Sequence, residues 1–85
     1  MQPQVVTIAA NHSAVERLKG WSFYEDAAST AYIRLRRAAV GGDILAHIKF
    51  ASGESVQFEY DEDLISDGGV YVEEVSGSVT GVLYY

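Results

Sequence analysis

Cysteine is absent from the 85-residue chain, and proline and methionine occur once each. Without cysteine there is no disulfide, no thiol nucleophile and no thiolate-held metal. Basic residues are scarce: 6 Lys+Arg stand against 12 Asp+Glu, a formal net charge of −6. That balance argues against nucleic acid as the main partner, because phosphate binding needs clustered Lys and Arg. Uncharged runs are short and broken by Gly or Ser, so no stretch reads as a membrane span and no membrane partner is expected. The start Met1-Gln2-Pro3-Gln4 carries no basic residue, so no targeting segment is expected there. Catalytic motifs are missing too. There is no Gly-x-Ser-x-Gly and no glycine-rich loop placed to cradle phosphate ahead of a helix. Glu73 and Glu74 are adjacent, so in a strand they point to opposite faces and do not form a carboxylate pair. No enzymatic activity and no cofactor are expected.

What the chain does have is apolar residues: 48% of it, with 12% aromatic. That is too apolar for a disordered segment, and the length suits one domain. A domain of this size buries only roughly 60–65% of the surface its unfolded chain exposes, so its core is thin. Short chains with thin cores lean on disulfides, metals or partner subunits. With disulfides gone, a homo-oligomer is the expectation.

Apolar residues recur with period 2, the signature of half-buried strands. Gln4 to Ala10 reads as one strand, with Val6 and Ile8 on one face and Val5 and Thr7 on the other. Trp21 and Phe23 alternate with Ser22 and Tyr24, and Ile33 and Leu35 with Tyr32, Arg34 and Arg36. The rows Ile44/Ala46/Ile48/Phe50, Val56/Phe58/Tyr60 and Val70/Val72 follow. The last run is apolar on both faces, Val79, Leu83 and Tyr85 against Val82 and Tyr84, and is the strand best suited to cover by another chain. Residues 13–19 fit either a short helical turn, with Ser13 and Glu16 as a capping box, or a strand lead-in.

Gly41-Gly42-Asp43, Ser52-Gly53, Asp67-Gly68-Gly69 and Ser76-Gly77 separate the runs at roughly the 8–12-residue spacing of all-β domains. The pairs 44–50 with 54–60, and 70–75 with 78–84, read as hairpins. The expected fold is all-β: a small antiparallel β-sandwich, jelly-roll-like or barrel-like, of seven to eight short strands. Residues 1–14 form an N-terminal strand or an arm that adds a strand to a neighbour, and residues 15–85 form the single sandwich domain.

Charge is distributed unevenly. Residues 1–49 hold all 6 basic and 4 acidic residues, net +2, whereas residues 50–85 hold 8 acidic residues and no basic one, net −8. Either the acidic half is a solvated face, or the run Arg34, Arg36, Arg37 meets the acidic segment of a neighbouring copy. Asp61-Glu62-Asp63 with Asp67 reads as a solvated acidic loop. Counted from Asp61, the fifth, sixth and twelfth positions are Ile65, Ser66 and Val72, which fails the EF-hand pattern. His12 and His47 read as surface residues. Tyr24, Tyr32, Tyr71 and Tyr84 lie opposite the main apolar rows, where aromatics serve protein contacts or stack on sugars. The candidate partner-interface residues are Val6, Ile8, Arg34, Arg36, Arg37, Tyr71, Val82, Tyr84 and Tyr85.

The order of these features is familiar. Gly20-Trp21-Ser22-Phe23-Tyr24-Glu25 leads into Ala31-Tyr32-Ile33-Arg34-Leu35-Arg36, then Ile44-Leu45-Ala46 and Ser52-Gly53-Glu54-Ser55. Gly69-Val70-Tyr71-Val72-Glu73 and Val75-Ser76-Gly77-Ser78-Val79-Thr80-Gly81 follow. Over about residues 20–85 the chain resembles small virion accessory proteins of tailed bacteriophages, especially those of actinobacteria. It departs from them at Asp61-Glu62-Asp63 and at the terminal tyrosine pair. The resemblance implies a head decoration protein on the capsid surface of the virion, a trimer by preference, whose partners are the major capsid protein and other copies of itself. A minor tail or fibre component is the alternative it implies. From the exposed aromatics alone, a carbohydrate-binding module is a third expectation.

Overall fold

From Trp21 onward, every run of alternating residues falls in a strand. The computed structural model describes residues 2–85, which contain eight strands and no helix. They are β1 (Pro3–Val5), β2 (Ala10–His12), β3 (Arg17–Glu25), β4 (Ala31–Arg37), β5 (Ile44–Phe50), β6 (Ser55–Ile65), β7 (Val70–Ser76) and β8 (Val79–Tyr84). All pairings are antiparallel. Sheet one has the order β1-β8-β3-β6 and sheet two the order β2-β7-β4-β5. The pairing is therefore nested, β1 with β8, β2 with β7, β3 with β6 and β4 with β5. This is a jelly roll, a long ribbon folded at residues 38–43 and wound into two layers. The two sheets remain separate, so the fold is a sandwich rather than a barrel.

The inner faces hold the core. Leu18, Trp21, Phe23, Val79 and Leu83 of sheet one meet Ile33, Leu35, Ile48, Phe50, Val70 and Val72 of sheet two. Phe23 and Phe50 touch edge to face across the layers, ring centroids 6.4 Å apart, a favoured aromatic geometry. Gln2 and Tyr85 exchange both backbone hydrogen bonds, at 2.6 and 2.9 Å, and close sheet one beyond β1 and β8.

The connections depart from the sequence expectations. The hairpins read over 44–60 and 70–84 do not form. β5 and β6 lie in different sheets, as do β7 and β8, so residues 51–54 and 77–78 are arches between layers. Periodicity tells which residues face inward, but a hairpin and an arch use the same inward row. Among the described residues, only β4 and β5 make a hairpin between consecutive strands. The strand expected over residues 4–10 is likewise two strands, β1 and β2, one in each sheet. Ala9, at φ 59°, turns the chain between them. Residues 13–19 form no helical turn; Val15 and Leu18 are buried as the chain enters β3. The terminal strand is not an edge awaiting another chain, since β1 and β3 flank it on both sides. Ile44 is exposed despite its row. A bulge pairs Leu35 with Ala46 but Arg36 with Ile44, which swings Leu45 toward the core instead.

Two titratable residues are buried, and His12 among them was expected at the surface. His12 accepts the Thr7 N–H on Nε2 at 2.9 Å, and its Nδ1 lies 3.2 Å from the Val70 carbonyl. The proton therefore sits on Nδ1, and the ring ties the β1–β2 crossing to β7. Glu25, fully buried, accepts backbone N–H groups from Gly53 (2.9 Å), Ala27 (2.7 Å) and Ser29 (3.1 Å). These bonds, the one from Gly53 foremost, hold its carboxyl below the ordinary value of 4.5 although burial acts the other way.

Two outcomes follow. Gly77 sits at φ +75°, and a Cβ there would come within 2.6 Å of the Ala31 Cβ. Gly77→Val should cost at least about 2 kcal/mol, seen as a thermal midpoint well below that of Gln57→Ala; equal midpoints would refute the arch geometry. For Glu25, the folded chain holds the carboxyl more acidic than the unfolded chain does. Its contribution is complete above the unfolded value and is lost as pH falls through the lower folded one. Urea midpoints should drop below about pH 4.5 more steeply in the native chain than in Glu25→Gln; parallel profiles would contradict the assignment.

Candidate interaction surfaces

The sandwich leaves two outer faces. On sheet two, β4 is central, and its outward residues Tyr32, Arg34 and Arg36 form the middle row. Strand register sets their neighbours. Tyr32 lies opposite Lys49, Arg34 lies between His47 and Glu73, and Arg36 lies beside Tyr71. Arg34 and Arg36 both reach the same Glu73 carboxylate oxygen at 3.3 Å. Arg36 also donates to the Gly42 carbonyl at 2.9 Å.

Tyr32 is the hub of this face. The Arg34 guanidinium carbon lies 5.4 Å and the Lys49 ammonium 5.6 Å from its ring centroid, both within cation–π range. His47 stacks on the ring with centroids 5.8 Å apart. Arg34 Nε donates to the Tyr32 hydroxyl at 3.4 Å, which leaves the hydroxyl proton for His47 Nδ1. The Tyr32 hydroxyl, ahead of Glu73, holds the Arg34 guanidinium above its already high ordinary value, so it stays charged. The outward rows thus carry three basic residues against one carboxylate, a net of +2. The rest of a chain whose total is −6 carries −8.

The outer face of sheet one is different. Register aligns Val5 with Val82 and Ser22, and Pro3 with Tyr84 and Gly20. Val5 is 71% exposed and Tyr24 48%. Glu59, opposite Gly20, lies on the flanking strand. A shallow groove of about 380 Å³ opens beside Gly20, walled by Tyr84, Gln57, Phe58 and Glu59.

The interface residues expected from sequence therefore divide. Arg34, Arg36 and Tyr71 come together on sheet two, while Val82 and Tyr84 lie on sheet one, on the opposite side of the molecule. Val6, Ile8 and Tyr85 pack partly buried against the core. Arg37 leaves its basic neighbours: it shares the inward parity of Leu35, and its guanidinium reaches the Ile65 carbonyl at 3.4 Å. Its Nε is buried without a hydrogen-bond partner. Tyr32, expected on an outward face, belongs to the basic face together with His47, Lys49 and Glu73, which were not among the candidate interface residues. Alternation alone places each on an outward row, but only the pairing of β4 with both β5 and β7 brings them together.

Asp61-Glu62-Asp63 is strand rather than loop, being part of β6. Asp63 pairs with Lys19 at 2.8 Å, while Asp61 and Glu62 are exposed. Among the described residues no three His, Cys, Asp or Glu side chains group so as to hold a metal ion.

Comparison of the chain with protein-family models, with characterised proteins and with solved structures yields no match.

The ion pairs of the basic face are half-exposed, so their strength is modest. A double-mutant cycle of Arg34→Ala and Glu73→Ala should give a coupling below about 1 kcal/mol that shrinks with added salt. A larger, salt-independent coupling would mean that the pair is a desolvated structural element.

Proposed function

We propose that this protein is a structural virion component of a tailed bacteriophage, a head decoration protein that attaches to the capsid lattice as an oligomer. The observation that carries the reading is the outer face of sheet one, where exposed Val5 and half-buried Val82 and Tyr84 form an apolar row on a domain with a thin core. Contiguous apolar surface of this kind marks a protein contact. Support also comes from the sequence resemblance and from the jelly-roll topology, an architecture used by capsid proteins, by lectins and by unrelated domains. That last support is fold-level analogy. A decoration protein needs no catalysis: many modest contacts on a repeating lattice add through effective concentration.

Electron microscopy of purified phage particles, with the protein located by antibody, tests the proposal. Density at capsid lattice points is the expected result. Density on the tail alone would replace it with the minor tail or fibre reading, and absence from the particle would overturn both. The groove between Tyr84 and Glu59 favours a second reading, in which an aromatic wall and nearby polar groups seat a sugar ring. A glycan array decides it: selective binding lost in Tyr84→Ala supports the saccharide reading, and no binding removes it.

A further inference from the structure

We infer that copies of this chain associate head to tail, with the basic outer face of sheet two seated on the acidic free edge of sheet one in the next copy. The contact belongs to the chain itself and is independent of the virion reading.

Charge complementarity carries the inference. Arg34, Arg36 and Lys49 share one face with a single carboxylate, Glu73. The complementary surface is β6. Among the described residues it pairs only with β3, and its other edge is open over an 11-residue strand. Glu59, Asp61 and Glu62 are exposed along it, and no basic residue occurs after Lys49. Of the nearby cations, Lys19 is already paired with Asp63, while Arg17 and the Arg37 guanidinium lie at Ile65, the last residue of β6, beyond Glu59, Asp61 and Glu62. A strand edge this long is an aggregation template unless charged or covered, and here the charge that guards it also suits the basic face. Tyr32 and Tyr71 add aromatic area to that face, and Tyr and Arg are the residue types that dominate interface energetics.

The geometry limits the assembly. A face and a lateral edge of one sandwich point at about right angles. The two surfaces differ, so the contact is heterologous and must either close into a ring or run on as a filament. Joining surfaces at near right angles closes a ring of about three to five copies. The apolar face of sheet one plays no part in the contact and stays free.

Sedimentation velocity in low and high salt tests the inference. The native chain should be a closed oligomer in low salt and should dissociate as salt is added. Face reversal (Lys49→Glu with Arg34→Glu) and edge reversal (Asp61→Lys with Glu62→Lys) should each weaken association roughly tenfold or more. Carrying all four substitutions in one chain restores the complementarity with inverted sign, and association should return. Circular dichroism confirms folding of each variant. Because Arg34 touches Tyr32 and Glu73, the single exposed change Lys49→Glu serves as a second probe and should shift the equilibrium the same way. A native chain that stays monomeric in low salt overturns the inference. So does an oligomer that ignores both salt and charge reversal, which would place the contact on the apolar face instead.

Discussion

A sandwich whose consecutive strands cross between layers creates backbone amides that no ladder can satisfy. At one end of this molecule three crossings lie together, residues 26–30, 51–54 and 77–78. The Glu25 carboxylate gathers amides from the first two, at Ala27, Ser29 and Gly53. Its own backbone N–H bonds the Glu54 carbonyl, and the next residue, Asp26, bonds Ser78. The Glu25 carboxylate thus ties β3 to the arch that delivers β6, and the Asp26 backbone ties it to the arch that delivers β8. The aromatic contact of Phe23 with Phe50 sits just inside this clasp and depends on both arches holding their course. His12 does related work at the β1–β2 crossing, where its ring bonds Thr7 and Val70. In both places a side chain of the kind usually found at the surface is buried because the backbone there needs a partner.

The outer faces follow a different logic. Neither is needed to fill the core, so their composition is open to other demands. Sheet two spends most of its outward positions on cations and aromatics, and Glu73 is placed where it moderates Arg34 and Arg36 together. That single carboxylate keeps the central row ordered without cancelling its charge. Sheet one is nearly uncharged on its outer face and carries apolar residues in water. The free edges also differ. β1 and β2 are three residues long and offer little to pair with, whereas β5 and β6 are long and carry charge instead.

The all-β class, the strands from Trp21 onward (the Asp61–Asp63 end of β6 excepted) and most of the core were legible in the sequence, because period-2 alternation reports burial directly. Ile33, Leu35, Ile48, Val70 and Val72 are inward, as their spacing requires. Strand neighbours were not legible. A strand bonded at its edge and a strand stacked across the core bury the same alternating row, so the hairpins read at Ser52-Gly53 and Ser76-Gly77 became arches. Gly77 stands at positive φ, and both kinds of turn share that requirement. The exposure of Ile44 depended on a bulge, which leaves no mark on composition. The amides and carbonyls that satisfy buried Glu25 and His12, near ones at Ala27, Ser29 and Thr7 and distant ones at Gly53 and Val70, left no mark on the alternation. The basic face was half legible: Arg34, Arg36 and Tyr71 stood on outward rows, but Arg37 was grouped with them by sequence adjacency, although alternation turns it the other way.

The paired hydrogen bonds between Gln2 and Tyr85 make the described chain a circle in all but one covalent link. Anything attached at either end emerges from the same spot on the rim of sheet one, beside β1 and β8. A short linker joining the two ends, with new ends opened at the exposed Ala39–Gly41 bend, would leave the order of strands in both sheets unchanged. Tethered cargo can therefore be moved from one pole of the molecule to the other by circular permutation alone.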